Sequence, residues 1–109
     1  MKEANWKERI LFFLGLRKGF RVEGNSMLPA LKDGDAVLID PREKVVGGDI
    51  VLANHPFKKS VKILKRLEHF DDKGDLFLAG DNREESTDSR TFGAVPLKYL
   101  IGKATSRLK

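Results

Sequence analysis

Ser60-Val61-Lys62-Ile63-Leu64-Lys65-Arg66-Leu67 is the stretch whose reading decides the fold. It is rich in β-branched and aliphatic residues and carries no glycine or proline, so it reads as a β-strand. Side chains alternate across a strand, which puts Val61, Ile63, Lys65 and Leu67 on one face and Ser60, Lys62, Leu64 and Arg66 on the other. Lys65 is then the one charge on an otherwise apolar face. Burial disfavours an ammonium and lowers its pKa, which makes such a lysine a usable base near neutral pH. A lysine that guards a strand edge or reaches out to water would give the same pattern.

Outward from this strand the chain is mostly short strands. Phe20-Arg21-Val22-Glu23 alternates, and Ala36-Val37-Leu38-Ile39 is a continuous apolar run expected to be buried on both faces, ended by Asp40-Pro41. Gly47-Gly48 turns into Asp49–Ala53, which Asn54-His55-Pro56 breaks. Asp71–Gly74 turns into Leu76–Ala79, residues 80 to 93 read as one long loop, and a final strand runs through Ile101 to Leu108. Frequent short strands with turn signals predict a mainly β fold, closed or folded over on itself.

At 109 residues the chain is one domain with a single modest core. The absence of cysteine excludes disulfides and thiol catalysis. His55 and His69 are the only histidines, too few for a histidine-rich metal site, and neither a metal nor an organic cofactor is expected. The net charge of +5 is spread along the chain and reads as a solvated basic surface, so no nucleic-acid partner is expected.

Residues 1–18 are read as an N-terminal amphipathic helix and 19–109 as the domain proper. The apolar run Ile10–Leu16 is too short to span a bilayer, and no small-residue cleavage site precedes Gly15. A helix over residues 3 to 15 would put Trp6, Ile10, Phe13 and Leu14 on one face, widened by Leu11 and Phe12. Such a face either packs on the domain or lies in a membrane interface, and packing is the expectation. We expect a cytoplasmic chain that touches a membrane at most peripherally, through residues 3–16.

Two further segments carry chemistry. In Gly24-Asn25-Ser26-Met27-Leu28-Pro29-Ala30-Leu31 the glycine allows unusual backbone angles. Pro29 is suited to start a helical turn with Ser26 near its N-terminal end, where outward N–H groups would stabilise an oxyanion. A serine that merely caps such a turn is the simpler alternative. The loop Gly80–Gly93 is too long and too charged for a minimal turn. Its acids and arginines are placed to pair internally, Asp88 with Arg90 or Asp81 with Arg83.

Together these segments resemble the signal peptidase I family of Ser/Lys endopeptidases. Ser26-Met27-Leu28-Pro29, extended by Gly34-Asp35, resembles the nucleophile box. Lys65-Arg66 resembles the strand that supplies the lysine base. Gly80-Asp81-Asn82-Arg83, Ser86, Asp88-Ser89-Arg90 and Gly93 resemble the third box. The likeness covers about residues 20 to 104, and the wider superfamily includes the self-cleaving LexA and UmuD proteins.

The resemblance implies a LexA/signal-peptidase-like folded β-sheet with Ser26 as nucleophile and Lys65 as its base. Ser86 would orient the lysine, and Asp88 and Arg90 would brace the site. Gly24 and Met27 flank the nucleophile as supporting positions, Gly24 standing where some members place a second oxyanion-donating serine. Family members usually carry a membrane anchor and often a large insertion, whereas only Leu67 to Ala79 separate the lysine strand from the third box here. A compact, anchor-free form resembles the nickel-type superoxide dismutase maturation proteases. The implied partner is then a precursor bearing an N-terminal propeptide, nickel superoxide dismutase above all. The alternatives are processing of secretory precursors, or a LexA-type regulatory module that cleaves itself or no substrate.

Overall fold

A computed structural model describes residues 1–108 of the chain. Six strands form one antiparallel sheet: β1 (Lys18–Arg21), β2 (Ala36–Asp40), β3 (Ile50–Asn54), β4 (Lys62–Phe70), β5 (Leu76–Ala79) and β6 (Leu100–Leu108). Their order is β1-β2-β6-β3-β4-β5, so β6 is inserted between two sequential blocks. The mainly β, folded-over expectation holds. The reason lies in the two faces of the central strands. Val37, Ile39, Ile50, Leu52 and Leu64 build one core with Met27 and Leu31, while Val51, Ala53, Leu67, Leu76, Leu78 and Val95 build a second. A sheet apolar on both faces must be covered on both, and its loops and curled edges supply the cover. The Val37–Ile39 run is fully buried, as its unbroken hydrophobicity requires.

Irregularities in register fall between Leu38 and Ile39, between Leu52 and Ala53, and between Leu67 and His69. Such shifts bend strands and increase their twist. The curl shows in the core: Val22, just beyond β1 at one end of the sheet order, packs in the same cluster as Leu64 of β4 near the other end.

Three local expectations need correction. The N-terminal helix is α1, Trp6–Phe13, shorter than residues 3 to 15 and capped by the Asn5 side chain, which accepts from the Glu8 N–H. It rests on the sheet by the opposite side from the one expected, and Trp6, Ile10, Phe13 and Leu14 are all exposed. Glu8 decides this, because its carboxylate accepts from Thr105 and Ser106 of β6 and from Arg17. Second, residues 26 to 30 form consecutive turns rather than a helical start, with Leu28 N–H donating to Asn25 C=O at 3.2 Å and Leu31 N–H to Met27 C=O at 2.9 Å. Third, the loop after β5 is partly helical. It contains a 3-10 turn at Arg83–Glu85 and a short helix, α2, at Ser89–Phe92, whose N-cap is Asp88.

Candidate active site

Lys65 lies in the middle of β4, directly opposite Val51 of β3, and is only 6% exposed. Its face neighbours Ile63 and Leu67 pack against or within the second core. The lysine is not a snorkelling edge residue. Its Nζ donates to Ser86 Oγ at 3.0 Å, and Ser86 Oγ donates to Asp88 Oδ2 at 2.7 Å. Burial pulls the Lys65 pKa below its usual value; the Asp88 charge opposes this and the Arg90 charge assists it. The field of the carboxylate is thus partly cancelled at the lysine by the guanidinium paired to it.

Asp88 is fully buried and satisfied on every side. Its Oδ1 accepts from Arg90 Nε at 2.9 Å and Arg90 N–H at 3.1 Å, and its Oδ2 accepts from Gly80 N–H at 2.9 Å in addition to Ser86. Burial alone would raise its pKa, but the hydrogen bonds from Arg90, Gly80 and Ser86 outweigh it, and the carboxyl is held well below the usual carboxylate range. Arg90 also donates to Arg83 C=O at 3.0 Å, tying α2 to the 3-10 turn.

The nucleophile segment meets this loop at Gly80. A Cβ there would lie 2.2 Å from Ser86 Oγ and 2.7 Å from Ser26 C=O, so only glycine admits both at once. Asn82 N–H donates to Ser26 C=O at 2.8 Å, and Asn82 Nδ2 donates to Asn25 C=O at 3.1 Å and to Glu85. These bonds fix the peptide planes on either side of the serine. Met27 is buried in the first core and anchors the segment from within. Gly24 bends the backbone at φ +78°, and its N–H is committed to Asp33 Oδ1 at 2.7 Å, which leaves it no oxyanion to serve. With no helix here, the backbone donors beside the serine are those of a turn. The Ser26 N–H makes no hydrogen bond among the described residues.

Ser26 and Lys65 both line a groove of about 410 Å³. Its walls are the end of β1 with the residues beyond it (Phe20, Val22, Glu23) and the start of β4 with the residues before it (Ser60 to Leu64). Asp81 and Arg83 do not pair with each other. Asp81 takes a bidentate fork from Arg66, at 3.1 and 2.6 Å, and Arg83 reaches Glu68 at 3.0 Å. Arg66 faces Ala79 across the β4–β5 ladder, so Asp81 just beyond β5 lies in its reach.

Among the residues the sequence singled out, the structure brings together Ser26, Lys65, Ser86, Asp88 and Arg90. Not foreseen were the clamp from Asn82, the tight approach at Gly80, and the groove walls at Phe20, Glu23 and Ile63. The Gly-Asp-Asn run was the only signal for the first two. His55 and His69 stand apart, His55 near Phe92 and His69 stacked on Phe77 at 5.0 Å.

A serine and a buried lysine thus share one groove in a folded antiparallel sheet. The chain belongs to the Peptidase S24-like family, whose pattern matches residues 17–95. It is 32% identical to mitochondrial inner membrane protease subunit 1 of Xenopus tropicalis over 78% of this chain and 65% of that protein. It is also 32% identical to mitochondrial ATP-independent inner membrane protease subunit 1a of Arabidopsis thaliana, over 80% of this chain and 67% of that protein. A shorter stretch, 39% of this chain and 14% of the relative, is 49% identical to signal peptidase I of Buchnera aphidicola. The chain thus spans about two thirds of the length of the mitochondrial relatives. No helix among the described residues is long and apolar enough to cross a membrane.

Proposed function

We propose that this chain is a serine endopeptidase using a Ser26/Lys65 dyad. The observation that carries the reading is the position of Lys65: buried, lowered in pKa, and steered by Ser86 into the groove that Ser26 also lines. In the proposed reaction Ser26 Oγ attacks the scissile carbonyl while neutral Lys65 accepts its proton. Lys65 then protonates the leaving amine, and the acyl-enzyme forms. Lys65 next takes a proton from water, whose hydroxide attacks the ester carbonyl. Collapse releases the acid as the Lys65 ammonium returns that proton to Ser26 Oγ, which restores both the serine and the neutral lysine. The Ser26 N–H is the first oxyanion donor. No metal takes part.

The substrate we propose is a precursor protein with an N-terminal extension, bound as an extended strand between the β1 and β4 walls. Support comes from the family match and from the relatives, which are inner membrane protease subunits and a signal peptidase. Nickel superoxide dismutase precursor is the specific candidate and rests on resemblance alone. A secretory precursor is the second, favoured by the signal peptidase I match. Incubation with each precursor and mass spectrometry of the new N-termini decides between them. Ser26→Ala should abolish the cut while circular dichroism stays native, because a small half-buried hydroxyl is lost at a turn. Undiminished turnover in that variant removes Ser26 as nucleophile.

A further inference from the structure

Helix α1 is mounted with its apolar side out. At about 100° per residue, Phe13, Trp6, Ile10 and Leu14 follow one another around one continuous arc. Trp6 is 74% and Phe13 89% exposed, and Ile10 and Leu14 are also exposed. The opposite side faces the protein. There Glu8 is fixed by Thr105, Ser106 and Arg17, and Phe12 lies over Gly19, where a Cβ would meet its ring at 3.3 Å. This inverts the usual surface helix, in which the apolar stripe packs down and charges face water. The orientation is held firmly, since Ala4 N–H donates to Arg107 C=O at 2.8 Å and Arg107 N–H to Lys2 C=O at 2.9 Å.

Charge borders the arc. Arg9 precedes it and Lys7 follows it around the helix, both exposed, and Lys2 and Lys18 are exposed at the two ends of the segment. The acids of this segment are engaged inward or sideways: Glu8 with Arg17, and Glu3 with Arg107 at 3.9 Å. An aromatic and aliphatic arc rimmed by cations, with Glu3 the segment's one exposed acid and that acid held near Arg107, is complementary to a layer that is anionic at its surface and apolar beneath.

We propose that α1 docks the chain reversibly on an anionic lipid surface, its Trp6–Phe13 arc seated among the acyl chains and Lys7 and Arg9 at the headgroups. An arc this short gives reversible attachment, since stable anchoring needs a second signal. The placement has a use: a short turn at residues 14–17 joins α1 to β1, whose Phe20 lines the proposed substrate groove. The docking concerns a surface away from Ser26 and Lys65, and it is read by binding rather than turnover, so it stands or falls separately from the peptidase reading.

Trp6 is the chain's single tryptophan, so its emission reports on this helix alone. Titrating the full chain with vesicles of equimolar phosphatidylcholine and phosphatidylglycerol should blue-shift Trp6 and float the protein with the vesicles. Phe13→Ser should weaken binding about tenfold, and Lys7→Glu with Arg9→Glu by about tenfold or more. Salt at about 1 M, where the screening length falls to about 3 Å, should weaken the wild type similarly. Absence of a shift and of flotation overturns the proposal. Equal binding to pure phosphatidylcholine with no response to the charge reversals also overturns it. So does a blue shift without vesicles that follows protein concentration, which would make the arc a contact between copies of this chain.

Discussion

Asp88 stands one hydroxyl away from Lys65: Ser86 Oγ accepts from Lys65 Nζ at 3.0 Å and donates to Asp88 Oδ2 at 2.7 Å. A carboxylate so near a proposed lysine base would by itself hold the proton on the amine. The arrangement works because Asp88 is consumed elsewhere, forked by Arg90 and bonded to the Gly80 N–H. The carboxylate positions the serine that positions the lysine, while the paired guanidinium offsets part of its charge.

The acidic limb of the cleavage rate against pH should therefore depend on Arg90. In the proposed mechanism the neutral Lys65 amine is the base, so the rate should rise with pH through a lysine pKa below the reference of about 10.4. In Arg90→Met the Asp88 charge is uncompensated and the lysine pKa rises, moving the limb to higher pH. Arg90→Lys should move it less. A limb unmoved in Arg90→Met would separate the arginine from the electrostatics of the base.

The two lysines at positions 62 and 65 of β4 offer a second test, because alternation and burial separate them. Lys65→Met should cut the turnover rate by about three orders of magnitude, the scale of a lost general base. Lys62→Met removes an exposed amine and should leave most activity. If only Lys62→Met is inactive, the catalytic assignment falls.

Stability should respond to Lys65→Met in the opposite sense. The folded pKa of Lys65 lies below its unfolded value, so the fold bears a cost for the ammonium that is complete below the folded pKa and vanishes above the unfolded one. The variant should melt higher than the wild type at neutral pH, and the gap should narrow as pH rises toward about 10.4. Thermal melts across that range read both effects. A lower melting point at neutral pH would mean that the Ser86 contact outweighs the desolvation.

Gly80→Ala should cripple cleavage without unfolding the sheet. The new methyl would press on Ser86 Oγ at 2.2 Å and Ser26 C=O at 2.7 Å, pushing apart the two segments that must meet. A displacement near 1 Å at a reacting centre costs about a hundredfold in rate. Activity within a few-fold of wild type would show that the two segments give way easily.

Most strands were legible because each declares itself locally. Val37–Ile39 is apolar on consecutive residues and is buried on both faces; the β4 alternation put Lys65 inside and Lys62 outside. The orientation of α1 was not legible. Its pattern is amphipathic, but whether the apolar side turns inward was decided by one half-buried carboxylate finding two hydroxyls nearly a hundred residues away. The same holds for Asp81, whose partner came from a neighbouring strand rather than from its own loop. Serine, lysine and the third box could be named from the chain. The Asn82 clamp and the groove walls depend on how the sheet curls, which register shifts at three ladders control.

Strand β6 has a consequence for the timing of activity. It is synthesised after the five other strands, yet it lies between β2 and β3 and also carries α1. Until it emerges, the block bearing Ser26 and the block bearing Lys65 share no ladder. A chain truncated before Leu100 should then be open to added protease and show no cleavage of precursor, whereas the chain extended through Leu108 should show both protection and cleavage. On the peptidase reading, such a chain would gain the power to cut only once its last strand is in place.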